Sequence, residues 1–556
     1  MADRDDPSQQ APLSKHHERI RTRGVQPIVL KLTRAILKPF LLAFFHMSRI
    51  GREHVPDGAV ILASNHRSFL DPFVVGICLN RPVYFVAKKE LFDRRLAGWF
   101  LNCLGAFPIK RGESDEESVE TARQILARGD ALVIFPEGTR IREGSLGQAK
   151  RGVGRLALET GAPVVPVAVH GTERARRGLL LRPVKVQVRM GRPLTFPRVE
   201  SASRRLATEV TARIWPCVEL QWEWLGGLPP LRKAAVIGAG SMGTGVAALL
   251  ARAGLEVQLG CRAQEHARTI EQQRRNDRYL PQIELPDGVS AAPISEIELA
   301  GVDLVVFAVP ASALPAAVGR LGAHIGERSA VLVLSKGLVP PLGALPSSYV
   351  RDRVNARAIA CLGGPFHSGE AVASGASAVL ATADRDFRRQ LRDALQKAGI
   401  DVERTDDVVG VELAGAAKNA AALAAAAAAT SGMNAAGAAG GRVFSELERL
   451  AAAEGAHPDT FDGLAGIGDL LATVMAPHSR NRRAGEMLAS GVPAAQLKAR
   501  LGATAEAVES VPLLAAACER HGIDAPATQA LSALVEGRIA PERWIENVRT
   551  GGRRAA

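Results

Sequence analysis

Two hydrophobic patterns divide this chain. Between residues 59 and 191, short apolar runs recur, each closed by a turn: AVILAS, PVYFVA, ALVIFP, APVVPVAV and VKVQVRMG. Each reads as a buried strand, and the segments between them suit helices, so an α/β domain is expected over residues 25–228. SRRLATEVTARIWPCVELQWEWL (203–225) predicts its closing helix, whose Trp222 and Trp224 fit either a core or a membrane interface. Gly226, Gly227, Pro229 and Pro230 then break the chain. The alternation starts afresh after Lys233, with strands at 234–237, 256–259, 303–311 and 330–338, predicting a second α/β domain over 233–404. From about Asp406 the pattern turns helical: GVELAGAAKNAAALAAAAAATSG, a run to Gly455, and DTFDGLAGIGDLLATVMAPHSRNRRAGEML. An all-α domain over 405–556 is expected.

The N-terminal segment follows neither pattern. Residues 1–24 run acidic, then basic, with no apolar period, and are expected to be a disordered tail. In PIVLKLTRAILKPFLLAFF (27–45), Lys31, Arg34 and Lys38 share one helical stripe. Three central charges argue against a spanning helix. An amphipathic helix on a membrane surface fits, with its basic stripe toward anionic headgroups, and a helix capping the enzyme core is compatible with it. Pro39 is expected to kink or end its first part. The net charge of +13 suits anionic partners such as phospholipid surfaces and phosphorylated metabolites. No RNA-binding or recognition-helix signature and no zinc spacing accompanies it, so no nucleic acid and no metal is expected. The six cysteines are scattered singly and read as reduced thiols, and the N-terminus lacks an apolar signal core. Both point to a cytoplasmic protein, held peripherally on the inner face of the cell membrane.

The strand at Lys233 leads into Gly238, Gly240 and Gly243, with Ser241 and Met242 between them, and then a helix to Gly254. The first glycine permits a tight turn, the second lets backbone approach a pyrophosphate, and the third lets helix pack on strand. The helix N-terminus adds free N–H groups for the phosphate. This predicts a doubly wound, Rossmann-type domain binding NADP or NAD. The position after the next strand, where an acidic ribose ligand is usual, holds Gly260, Cys261 and Arg262. An arginine there admits the 2′-phosphate of NADP, and it also suits packing along the adenine.

In the first half, LASNHRSFLDP places His66 and Asp71 after a strand. Five residues apart, they need a folded-back turn to meet. Asp71 precedes Pro72, which disfavours helical geometry at Asp71 and makes it a natural N-cap. Asp71 then fixes the imidazole tautomer, and His66 takes a proton from an attacking hydroxyl. Lys110 and Arg111 in FPIKRG, and Glu137 and Arg140 in FPEGTR, follow strands and suit a phosphate. NHRSFLD, GAFPIKR, FPEGTR and VVPVAV, in this order over residues 45–200, resemble the glycerolipid acyltransferases, in particular the lysophosphatidate (1-acylglycerol-3-phosphate) acyltransferases. The resemblance implies His66 as general base and Asp71 as its partner. It implies Gly105, Arg111, Glu137, Gly138 and Arg140 as ligands of the glycerol-phosphate acceptor, with acyl-CoA or acyl carrier protein as donor. No acylated nucleophile is evident, so direct attack by the acceptor hydroxyl is the simpler mechanism.

In the second half, Lys336 follows a buried strand, Lys418 lies in an apolar helix, and a buried lysine must pair or lose its proton. Asp469, in a glycine-flanked turn, is its natural partner, and Arg480, Asn481 and Arg482 form an anion-binding cluster. With GAGSMGT, NDRYLP, SKGL, GGP with Glu370, GAAKN, GLAGIGDL and SRNRR, residues 233–538 resemble the bacterial-type NAD(P)-dependent glycerol-3-phosphate dehydrogenases. The resemblance implies Lys418 as proton donor to the substrate ketone and Asp469 as the residue that tunes it. Lys336, Asn419, Thr473, Arg480 and Asn481 would hold the substrate phosphate and cofactor, and Glu506 would contact the cofactor. The pattern departs from that family where Phe366, His367 and Ser368 replace Ser-Phe-Ala after Gly-Pro, at Gly441 in place of Thr, and at Ala507 in place of Gly.

Together the halves predict a bifunctional enzyme of glycerophospholipid synthesis, acting on dihydroxyacetone phosphate or sn-glycerol 3-phosphate, with a homodimer left open. The altered loop keeps open an order in which the ketone is acylated before reduction. A dehydrogenase half serving only as a nucleotide-binding module is the non-enzymatic alternative.

Overall fold

A computed structural model describes residues 7–109, 115–177, 180–476, 479–502 and 504–550. The chain divides into two compact units, residues 1–230 and 231–556.

The first unit is built on a seven-stranded sheet: β1 (Ser48–Ile50), β2 (Val60–Ser64), β3 (Val83–Lys88), β4 (Ala106–Ile109), β5 (Ala131–Ile134), β6 (Val164–His170) and β7 (Gln187–Met190), in the order β1-β7-β6-β2-β5-β3-β4. β6–β7 is antiparallel and the other pairs are parallel. The continuous Val/Ile/Leu/Ala runs are buried because helices cover both faces. The helices that matter below are α1 (Pro7–Arg23), α2 (Pro27–Phe44), the short α3 (Asp71–Gly76) and α4 (Arg204–Trp224). Ser203 caps α4 by accepting the Leu206 amide at 3.2 Å.

Three expectations for this unit fail in whole or in part. Residues 7–23, expected within a disordered tail, form α1. Its Leu13, His17 and Ile20 recur at helical spacing, Ile20 is fully buried, and His17 is buried with Nδ1 2.9 Å from Thr121 Oγ1. Counting histidine as polar hides that period. The helix α2 does not end at Pro39 but continues to Phe44. Its basic stripe is not free either, since Arg34 turns into the protein and donates to the Gly76 and Leu79 carbonyls. The exposed stripe is apolar: Ile28, Leu32, Ile36 and Phe40, each four residues from the last.

The second unit carries an eight-stranded sheet: β8 (Lys233–Ile237), β9 (Glu256–Cys261), β10 (Val289–Pro293), β11 (Leu304–Phe307), β12 (Ala330–Val333), β13 (Ala358–Gly363), β14 (Ala376–Ala381) and β15 (Ile400–Thr405). The order is β10-β9-β8-β11-β12-β13-β14-β15, parallel except at β13–β14. The strand order reverses beside β8, which puts a crevice at its C-terminal end. α5 (Ser241–Arg252) follows β8 there. After β15 come α6 (Val408–Ala428), α7 (Met433–Ala453), α8 (Asp469–Met475), α9 (Arg480–Ala489) and α10 (Glu506–Arg520). Asp407 caps α6 by accepting the Gly410 amide at 2.8 Å. Residues 408–431 are apolar and long enough to cross a membrane, but this segment is mostly buried in the helical core.

Candidate active sites

In the first unit, the C-terminal ends of β2 and β6 converge on one buried carboxylate, and the end of β5, which lies between β2 and β3, packs against its histidine. The loop after β2 folds back so that His66 Nδ1 lies 2.8 Å from Asp71 Oδ2. The same oxygen accepts the amides of Arg67 at 2.6 Å and Ser68 at 2.7 Å, and the Thr172 hydroxyl donates to Oδ1 at 2.6 Å. Asp71 is therefore not an N-cap. It is the first residue of α3, and its carboxylate turns back to organise the preceding loop. With Nδ1–H donated to Asp71, the imidazole presents Nε2 as its basic nitrogen. The Phe135 ring stacks on the imidazole at 4.2 Å between centroids.

Glu137 does not act as an open phosphate ligand. It is buried, its Oε2 accepts the His66 amide at 2.5 Å, and its Oε1 accepts the Gly147 amide at 2.8 Å. Burial pushes its carboxyl up to about 7. It buttresses the histidine loop from β5. Gly138, at φ +68°, supplies the turn, and a Cβ there would lie 3.1 Å from Lys150 Nζ. Arg140 is solvent-exposed on the same loop, and Arg111 lies outside the described residues. Gly105 is separated from this place: it precedes β4, two strands beyond β5, where a Cβ would press on Val25 and Tyr84 at 3.2 and 3.3 Å. Its φ of +99° serves the entry to a strand. Thr172 escaped the sequence reading because its partner is 101 residues away; a hydroxyl just past a buried strand end was the available signal.

In the second unit, the glycine turn has the geometry the spacing implied. Gly238 has φ +115°, and a Cβ there would lie 2.6 Å from the Ala308 carbonyl. At Gly243 it would lie 1.8 Å from the Gly238 carbonyl, whereas at Gly240 it would meet no described atom within 4 Å. The open side of the turn is thus the backbone of Gly240, at the start of α5, which fits a dinucleotide pyrophosphate. The Asn276 amide braces the turn by donating to the Ala239 carbonyl at 3.0 Å and Thr244 Oγ1 at 2.8 Å, and Ser241 Oγ donates to the Tyr279 carbonyl at 2.8 Å. Arg262 stands exposed just past the end of β9.

A cleft of about 420 Å³ holds most of the other predicted residues: Met242, Lys336, Lys418, Asn419, Asp469, Thr473, Arg480, Asn481 and Glu506. At its base Asp469 bridges two ammonium groups, with Lys336 Nζ 2.6 Å from Oδ2 and Lys418 Nζ 3.1 Å from Oδ1. Lys418 Nζ also donates to Thr473 Oγ1 at 2.8 Å. Burial, followed by the nearby Lys336 charge, lowers the Lys418 ammonium to about 8 despite Asp469. Burial alone would raise the Asp469 carboxyl, but the two lysines hold it below the usual range. Desolvation raises Glu506 against Arg480 and both lysines. The stem of Lys336 lies over Gly415, where a Cβ would come 3.6 Å from it. Ser479, Arg480 and Asn481 bring the N-terminus of α9 to the cleft, a natural anion seat, while Arg482 turns away to Glu486 at 3.0 Å. Gln282, Phe366, His367 and Glu370 also line the wall; of these, Gln282 was not anticipated.

Comparisons with known proteins follow the same division. Residues 47–170 match the acyltransferase family model. Residues 233–387 and 407–546 match the N- and C-terminal models of NAD-dependent glycerol-3-phosphate dehydrogenase. A glycerol-3-phosphate dehydrogenase [NAD(P)+] of Methylococcus capsulatus is 35% identical over 320 residues, which is 56% of this chain and 95% of that protein. One of Streptomyces griseus is 38% identical over 314 residues, 56% of this chain and 94% of its own. The crystal structure of glycerol-3-phosphate dehydrogenase from Coxiella burnetii, 28% identical, superposes with a TM-score of 0.54 over 58% of this chain and 99% of that one. The cofactor is accordingly NAD or NADP. The chain belongs to the NAD(P)-dependent glycerol-3-phosphate dehydrogenases, and carries ahead of that enzyme an acyltransferase domain.

Proposed function

We propose that the chain is a bifunctional enzyme of glycerophospholipid synthesis, reducing dihydroxyacetone phosphate in its second unit and acylating a glycerol-phosphate hydroxyl in its first. The observation that carries this reading is that one chain holds two separately built proton-transfer sites, His66–Asp71 and Lys418–Asp469. In the second unit Lys418 donates its proton to the C2 oxygen of the ketone, and Arg480 and Asn481 seat the phosphate at the N-terminus of α9. NAD(P)H supplies the hydride when bound. In the first unit His66 Nε2 removes the proton of the acceptor hydroxyl as its oxygen attacks the thioester carbonyl. The C–S bond then breaks, and the thiolate leaves with that proton. The acceptor is lysophosphatidate or glycerol 3-phosphate, and the donor is acyl-CoA or acyl carrier protein.

A membrane surface on the cytoplasmic side is the third partner. The reading rests on the exposed Ile28, Leu32, Ile36 and Phe40 of α2, with exposed Lys31 beside them. This replaces the basic stripe with an apolar face that enters the lipid.

A second order of events, acylation before reduction, is favoured by Phe366 and His367 in the cleft wall. His66→Ala and Lys418→Ala separate the activities. Each should lower its own reaction by ~10²–10⁴ and leave the other unchanged, read as thiol release and as NADPH oxidation. Loss of both reactions in either variant overturns the two-site reading. Turnover of acylated but not free dihydroxyacetone phosphate selects the second order.

A further inference from the structure

The acyltransferase match ends at residue 170, yet the histidine loop is held by side chains beyond it. Arg67, next to His66, is buried. Its Nη1 and Nη2 each donate at 2.8 Å, to the Ile141 and Gly144 carbonyls. Its guanidinium carbon lies 4.5 Å from the ring centroid of Trp222, near the end of α4. Trp222 is 2% exposed and also meets His170 of β6, with ring centroids 4.8 Å apart. Two residues past His170, Thr172 donates to Asp71, whose carboxylate in turn accepts the Arg67 amide. These contacts close a ring around the His66–Asp71 pair.

The indole has a backstop. The chain leaving α4 folds over it, with the Gly227 amide donating to the Trp222 carbonyl at 3.0 Å, and any Cβ at Gly227 would lie 2.1 Å from the indole. Two residues further on, the Pro229 carbonyl accepts the Ser145 hydroxyl at 3.0 Å, on the loop that Arg67 grips. We infer that Trp222, seated by Gly227, is a positioning residue for acyl transfer: by stacking on Arg67 it holds the histidine loop and the 137–147 loop in one arrangement. The inference rests on the acyl-transfer reading above. Its chemistry is a cation held over an aromatic face with little solvent, where that attraction is strongest. Misplacement of a reacting group by a fraction of an ångström is expensive in rate and cheap in binding.

The test uses the full chain carrying Trp222→Leu, Trp222→Phe or Gly227→Val. Acyl transfer to lysophosphatidate and to glycerol 3-phosphate is measured as kcat and KM, and NADPH oxidation serves as the control for folding of the second unit. The downfield proton resonance of the imidazole Nδ1–H, identified by its absence in His66→Ala, reports the His66–Asp71 hydrogen bond directly. Trp222→Leu should lower kcat about 10- to 100-fold, leave the acceptor KM unchanged, and broaden or shift the resonance. Trp222→Phe keeps an aromatic face and should stay within about threefold of the parent. Gly227→Val should behave as Trp222→Leu. Unchanged kcat and resonance in Trp222→Leu overturns the inference, as does an equal loss in Leu and Phe variants. If the parent chain acylates neither acceptor, the acyl-transfer reading falls instead, while the resonance still decides whether Trp222 positions His66.

Discussion

Both units bury an aspartate beside a basic side chain, His66 in one and Lys418 in the other, and they satisfy it in opposite ways. Asp71 is held by two backbone amides, a hydroxyl and an imidazole. Asp469 is held by two ammonium groups and a more distant hydroxyl. Amides and hydroxyls do not titrate in the working range, so most of Asp71's partners are indifferent to pH. The Asp469 site is a charge balance in which two cations share one anion, and the Lys336 charge weakens the hold of Lys418 on its proton. A fixed scaffold suits a dyad that must present one tautomer. A shared counter-charge suits a lysine that, in the proposed reaction, releases its proton to a ketone near neutral pH.

Replacing each aspartate by asparagine should give the largest effects. Asp469→Asn leaves the buried Lys418 and the partly buried Lys336 without their shared counter-charge. It should cost the second unit ~3–5 kcal/mol in thermal unfolding and reduce ketone turnover by ~10²–10⁴. Asp71→Asn keeps an oxygen for some of its donors. It should cost ~1–3 kcal/mol while lowering acyl transfer by a comparable ~10²–10⁴. Equal losses of stability would remove the distinction between the sites. A smaller effect is expected from Lys336→Met. Lys418 keeps its proton below about pH 8, so ketone reduction should fall and glycerol-phosphate oxidation should rise above that pH. Without the like charge of Lys336 the Lys418 pKa rises, and both limbs should move to higher pH, with a raised KM for the phosphorylated substrate. An unmoved limb would separate Lys336 from the charge balance. The smallest effect belongs to Thr172→Val, which removes one donor from Asp71. It should cost ~1.5 kcal/mol of stability and leave the pH dependence of acyl transfer unchanged.

The sequence reveals most about local geometry and least about what meets over a distance. Gly238, Gly240 and Gly243 are legible because their reasons lie within a few residues of one another. His66 and Asp71 are legible for the same cause, since they stand close together in one short loop after a strand, although the N-cap role that Pro72 suggested for Asp71 fails. Lys418 stands out as a charge in an apolar helix. Thr172 and Trp222 leave no such trace, because each gains its meaning from a loop more than 100 residues away. Gly105 and Glu137 show the converse. Both belong to motifs with a functional resemblance, yet one shapes a strand entry and the other braces backbone amides. Residues 7–23 were misjudged because a buried histidine supplied part of the helical period. The apolar face of α2 was legible as a stripe, but which side the fold would cover was a tertiary matter.

α6, the helix that carries Lys418, consists mostly of alanine and glycine after its first turn and is buried along nearly its whole length. Its neighbours approach it through glycines of their own: a Cβ at Gly440 would lie 3.2 Å from the Ala421 carbonyl, and one at Gly485 would lie 2.5 Å from the Leu423 carbonyl. Such packing leaves little slack for growth, because an added methyl group must displace backbone of the facing helix, slightly at Gly440 and more at Gly485. Variation in this half of the molecule is therefore channelled to the cleft rim, where Gln282, Phe366 and His367 stand on loops and short elements that can change without moving the axle. Divergence of substrate among descendants of this chain should be written there, and the helix bearing Lys418 should be the slowest part to drift.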